Sequence, residues 1–145
     1  MPNVSPILLA EDNPNDVLLV RHAFEETGAP NPLRVVGNGA DAIQYLGGDG
    51  VFADRAAHPF PVLFLLDLKM PVMDGLEVLR WLHEHPDIPR KLPVVVLSSM
   101  ELPNESQIAC AMEIQACIVK PLGYAELREK IRILKDYWLD YEARP

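Results

Sequence analysis

The sequence predicts a doubly wound α/β domain with five parallel strands, each followed by a helix. Two observations predict it. Short apolar runs recur along the chain without polar alternation, as expected for strands covered on both faces. Segments of helical periodicity lie between them, and repeated βα units form a parallel sheet through right-handed crossovers, with helices on both sides.

The first run, Ile7-Leu8-Leu9-Ala10, ends at Glu11-Asp12. Asn13-Pro14-Asn15-Asp16 then reads as a helix start, with a capping side chain, an early proline and an acid near the positive end of the helix dipole. Val17, Val20 and Phe24 share one face of this helix, and Gly28 can end it. Residues 33–36 form a weaker second run, and 38–46 a second helix stopped by Gly47-Gly48. A long polar loop, 49–61, precedes the third run, Val62-Leu63-Phe64-Leu65-Leu66, which ends at Asp67. Asp74 opens a third helix with Leu76, Leu79 and Leu82 inward, bounded by Pro86. Val94-Val95-Val96-Leu97 runs into Ser98-Ser99, and Asn104 opens a fourth helix that reaches about Ile114. The fifth run, 116–119, ends at Lys120-Pro121. The last helix begins near Tyr124, and the spacing of Tyr124, Leu127, Ile131, Leu134 and Trp138 marks an amphipathic face.

A chain of 145 residues suits one domain. The expectation is a single domain over 1–145 with no output domain. The formal net charge of −8 repels nucleic acid and anionic lipid, so no direct nucleic-acid contact and no membrane partner are expected. No secretory signal opens the chain, and the longest central apolar run is far short of a membrane span, which points to the cytoplasm. Cys110 and Cys117 fit no metal or redox spacing and read as buried thiols. His22, His58, His83 and His85 read as solvated side chains.

Ligands of an open parallel sheet bind outside the carboxyl ends of its strands. Glu11, Asp12 and Asp67 are expected to converge there, with Ser98 and Lys120 beside them. Like charges so close destabilise one another, and a hard divalent cation with oxygen ligands relieves them. Such a cation together with the Lys120 ammonium suits a phosphoryl group, and transfer to a carboxylate oxygen yields an acyl phosphate.

Glu11-Asp12, Leu66-Asp67-Leu68-Lys69-Met70-Pro71, Met73-Asp74-Gly75, Ser98 and Lys120-Pro121 resemble the full signature of response-regulator receiver domains, in the right order and over nearly the whole chain. The resemblance implies a flavodoxin-like sheet in the order 2-1-3-4-5. It implies that Asp67 accepts a phosphoryl group from a sensor histidine kinase in a Mg²⁺-dependent reaction. Asp12 and Asp67 would ligate Mg²⁺ directly, Glu11 largely through water, and the Lys69 carbonyl would complete the protein ligands. Ser98 and Lys120 would hold phosphoryl oxygens, with the bond before Pro121 cis. Phosphorylation would change partner binding, with self-dephosphorylation tuned at Lys69 and Met100 and no metabolic turnover. Two other readings stay open, a phosphorelay intermediate and a Mg²⁺-dependent phosphohydrolase with an Asp nucleophile. The latter usually carries a second Asp where Lys69 stands.

The match departs from the family at Cys117, where an aromatic switch residue is usual. Signal transmission is therefore expected through Ser98, its loop and the fourth helix. The Asn-Pro-Asn-Asp opening, the long loop before the third strand and Asp136-Tyr137-Trp138-Leu139 are similar to the small stand-alone regulators paired with bacterial phytochromes. That similarity implies a bacteriophytochrome as the kinase and a homodimer through the fourth and fifth helices, with Tyr137, Trp138 and Tyr141 as candidate anchors. One competing motif, Gly37-Asn38-Gly39-Ala40-Asp41-Ala42, fits a dinucleotide fingerprint. Its helix is short and no acidic partner follows at the required distance, so a turn with a helix cap is the preferred reading.

Overall fold

Strand β1 (Ile7–Ala10) is buried along its whole length, and so is β3 (Leu63–Asp67). Unbroken burial follows from their position inside a parallel sheet with helices on both faces. The computed structural model describes residues 5–88, 92–98, 116–119 and 123–139; the side chains of Ser98, 116–119 and Trp138 lie outside the described part. Strands β2 (Leu33–Val36), β4 (Val94–Ser98) and β5 (Ala116–Val119) complete a parallel sheet in the order β2-β1-β3-β4-β5. The predicted order is the observed one. β2 forms an edge, which is why Arg34 and Val35 are exposed and why its apolar run is the weaker one.

Helices α1 (Pro14–Thr27), α2 (Gly39–Gly47) and α3 (Gly75–Glu84) begin where capping chemistry places them. Asn13 accepts from the amides of Asn15 (2.9 Å) and Asp16 (3.4 Å). Asn38 accepts from Asp41 N at 2.8 Å, and Asp74 from Glu77 N at 2.9 Å. Each cap satisfies donors that the first helical turn leaves without an intrahelical partner. Gly28 and Gly48 end α1 and α2 at φ 76° and 67°, left-handed values that favour glycine.

The sheet separates two cores. Leu8, Ala10, Phe64 and Leu66 pack with Tyr45 and Leu46 of α2 and with Val78, Leu79 and Leu82 of α3. Ile7, Leu9, Leu63 and Leu65 pack with Val20, Ala23 and Phe24 of α1 and with Ile131 and Leu134 of the C-terminal helix (Tyr124–Leu134). Neighbouring residues of one strand point to opposite faces, so each run feeds both cores.

The loop 49–61 is tied to α2. Arg55 Nη1 donates to the carbonyls of Tyr45 (2.7 Å) and His58 (3.2 Å), and Nη2 to that of Leu46 (2.8 Å). The guanidinium therefore serves carbonyls at the negative end of the helix dipole. Tyr45 donates its hydroxyl to Pro59 O at 2.9 Å; His58 packs edge-on against the Phe52 and Tyr45 rings, and Phe52 lies tilted against Tyr45. His58 is thus half-buried in an aromatic cluster, where the sequence suggested a solvated side chain.

A π-helical turn, Lys135–Leu139, follows the C-terminal helix. The wider turn brings Leu139 into the core, five positions after Leu134. The expected inward partner, Trp138, has its side chain outside the described residues. The expected fourth helix (104–114), Cys110, Met100, Lys120-Pro121 and Tyr141 also lie outside them, as does the side chain of Cys117. Among the described residues no peptide bond is cis and no helix is long and apolar enough to cross a membrane.

Candidate functional site

The β1 and β3 strand ends lie side by side, since Ala10 pairs with Leu66. The next residues on each strand are therefore neighbours. Oxygen atoms of Glu11, Asp12 and Asp67 all lie within 4.8 Å of one another. Among the described residues this is the place where three potential metal-ligating side chains converge. Glu11 is 3% and Asp67 4% exposed, so two of the three carboxylates are held in the protein interior while Asp12 faces solvent.

Local bonding fixes each arm. Glu11 N donates to Val36 O at 3.0 Å, and Glu11 Oε1 accepts from Asn13 N at 3.1 Å, so the acid is held between β2 and the α1 cap. Asp67 Oδ1 accepts from Lys69 N at 3.4 Å, and Leu68 N donates to Leu97 O at 3.3 Å. Two unit charges no more than 4.8 Å apart repel by roughly 3 kcal/mol or more at an effective dielectric of ~20. Such a cluster calls for compensating positive charge, and its all-oxygen donor set suits a hard divalent cation. An open cleft of about 410 Å³ adjoins it, lined by Asp12, Leu68, Lys69, Met70, Pro71 and Asp74. Lys69 is exposed in that cleft, on the loop that follows Asp67.

That loop is strained. Val72 has φ 67°, in the left-handed region, and is 83% exposed. Met73 N donates to Pro71 O at 2.7 Å, closing a three-residue turn around it. A β-branched residue in this region is an outlier and persists only where its neighbours are pinned. Gly75 is one pin: its N–H donates to Leu68 O at 3.0 Å, and a side-chain carbon there would lie 2.6 Å from Leu68 Cα. Asp74, read as shaping a helix start, does cap α3.

Of the residues singled out from the sequence, Glu11, Asp12 and Asp67 come together, and Lys69 follows on the same loop. Ser98 closes β4, the strand paired with β3, and its side chain lies outside the described residues, as does Lys120. The dinucleotide reading fails on geometry. The Gly39 amide at the start of α2 donates to Met73 O at 2.9 Å, and Asn38 caps the turn, so the motif serves the protein's own backbone. Sequence reasoning missed Val72 and the closeness of Gly39 and Gly75 to the loop. The glycines themselves were the available signal, each standing beside a helix cap.

Residues 7–132 match the response regulator receiver domain family. The response regulator Rcp1 of Synechocystis is 29% identical over 141 residues, covering 96% of this chain and 92% of that protein. The phosphorylated cyanobacterial phytochrome response regulator RcpA superposes with a TM-score of 0.84 at 30% identity, over 94% of this chain and 95% of RcpA. The response regulator RPA3017, in red light signalling of R. palustris, gives 0.84 at 34% identity, over 94% of both chains. Rcp1 has also been solved in a Mn²⁺-bound form, which superposes with a TM-score of 0.81 at 28% identity, over 93% of this chain and 94% of that one.

Proposed function

The chain belongs to the response regulator receiver domain family, and from that premise we propose that it is a phospho-acceptor in which Asp67 receives the phosphoryl group from a sensor histidine kinase, with Mg²⁺ as the metal. The observation that carries the reading is the gathering of Glu11, Asp12 and Asp67 at two adjacent strand ends.

A carboxylate oxygen of Asp67 attacks phosphorus, and the phosphorus–nitrogen bond of the donor phosphohistidine breaks as the new phosphorus–oxygen bond forms. The imidazole nitrogen keeps the electron pair and is reprotonated from solvent. Burial of Asp67 restricts the orientation of its carboxylate at the end of β3. Asp12, Asp67 and the Lys69 carbonyl are assigned to hold Mg²⁺, with Glu11 acting through water. Bound there, the ion would supply charge neutralisation for the phosphoryl oxygens. Ser98 and Lys120 are assigned to bind phosphoryl oxygens from the ends of β4 and β5.

The phosphorylated form signals by changed partner binding, and no metabolic turnover is proposed, since Lys69 stands where a phosphohydrolase of this kind carries its second Asp. RcpA and RPA3017 are regulators in phytochrome and red-light signalling, which supports a bacteriophytochrome as the kinase. Ile133, near the end of the C-terminal helix, and Tyr137, in the π-helical turn that follows it, are 53% and 66% exposed, which supports a homodimer through that face. The proposed location is the cytoplasm.

Incubation with acetyl phosphate and Mg²⁺, followed by intact mass, tests the core of this reading. One phosphoryl group should add to the wild type and none to Asp67→Asn. Equal labelling of the two would overturn it.

A further inference from the structure

Gly39 lies outside the acidic cluster, on the helix behind the Asp67 loop. Its N–H donates to Met73 O at 2.9 Å, and the residue is buried. Its φ is not among the left-handed values, so glycine stands here for room and not for conformation. A methyl at this position would overlap the Met73 carbonyl oxygen and lie 2.7 Å from Val78 Cγ2 and 3.0 Å from the Met73 carbonyl carbon. The nearest obstacle is therefore backbone, which cannot swing aside as a flexible side chain can.

Met73 is also the residue whose own N–H closes the strained turn around Val72. Its carbonyl is fixed to α2 on one side and its amide to Pro71 on the other. Asp67 and Lys69 stand at the front of the same loop, and Leu68 is bound to Leu97 O and to Gly75 N. The loop is thus pinned at its front by β4 and α3 and at its rear by the α2 start. Loss of the rear pin would remove one of the contacts that hold the strained turn at Val72, three residues after Lys69. We propose that Gly39 is a positioning residue of the phospho-acceptor site: by admitting the Met73 carbonyl onto the first turn of α2, it sets the loop that presents Asp67 and the Lys69 carbonyl to the metal. The assignment rests on the functional reading above, and deepens it by tying α2 to the site.

Titration with Mn²⁺ alone, with the free ion counted by electron paramagnetic resonance, tests it on the full chain. Gly39→Ala should weaken Mn²⁺ binding about tenfold, the usual loss when the residues that orient metal ligands are changed. Gly39→Ala combined with Val78→Ala removes the side-chain clash and leaves the carbonyl clash. The double variant should keep the loss if the loop is what matters, and recover wild-type affinity if the damage is core packing alone. Recovery, or a single variant that matches the wild type, overturns the proposal. A wild type that takes up no Mn²⁺ overturns the functional reading itself, and this inference with it. Should the variants fail to fold, the wild type still decides. Coupling is reciprocal, so Mg²⁺ should slow hydrogen exchange at the Gly39 amide by more than at Gly48, which bonds Tyr45 O at the far end of α2 and reports the general gain in stability. Equal slowing at the two amides, or an unchanged Gly39 rate, overturns the proposal.

Discussion

Val72 spends stability on shape. A non-glycine residue held in the left-handed region costs about 1–3 kcal/mol, and glycine in its place loses roughly 0.5–1 kcal/mol to chain entropy. Val72→Gly should therefore stabilise the fold by about 1 kcal/mol, read as a higher urea midpoint at unchanged slope. Tyr45 offers a test in pH. Burial pushes its phenol above the usual 10.0, with Arg34 and Arg55 pulling the other way. The raised value means that its contribution is complete below pH 10 and is lost as pH climbs through the folded-state value. Tyr45→Phe should cost about 1 kcal/mol at neutral pH through the lost bond to Pro59 O. The gap between variant and wild type should narrow above pH 10, which alkaline urea titrations would show. Glu11, Asp12 and Asp67 were legible because each ends or follows an apolar run. Val72, Gly39 and Gly75 were not, because their roles depend on contacts between segments far apart in sequence.

The elements that the sequence announced most clearly are those with local signals at both ends. Asn13, Asn38 and Asp74 cap the helices they precede, and Gly28 and Gly48 end two of them. The loop 49–61 read only as polar, yet Arg55 binds it to two backbone carbonyls of α2 and closes on a third within the loop, that of His58. No periodicity betrays an arginine whose partners are main-chain atoms. Arg55→Ala should cost about 2 kcal/mol, within the range for hydrogen bonds from charged groups, and Arg55→Lys should not restore it because one ammonium cannot reproduce the fork. Chemical denaturation of both variants measures this. The π-helical turn at Lys135–Leu139 escaped for another reason. Spacings of three and four carry the eye to Trp138, and the wider turn carries the core to Leu139.

At the scale of the whole molecule, ion binding and folding are linked. An ion that binds only the folded chain at a hundred times its dissociation constant adds about 2.7 kcal/mol, which for a domain of this size is roughly 8 °C in midpoint. Thermal melts should show that rise with Mg²⁺ for the wild type, and little of it for Asp12→Asn or Asp67→Asn. The order of strands and the site at their carboxyl ends were both readable beforehand, since βα alternation restricts the topology and the topology places the strand ends together.

The sheet also works as a party wall. Side chains above it answer to α2 and α3, and those below it to α1 and the C-terminal helix. A change of volume in one chamber has no direct neighbour in the other, so a lineage can remodel the rooms on one side while its tenants opposite stay where they are. The acidic residues at the strand ends sit on the wall itself.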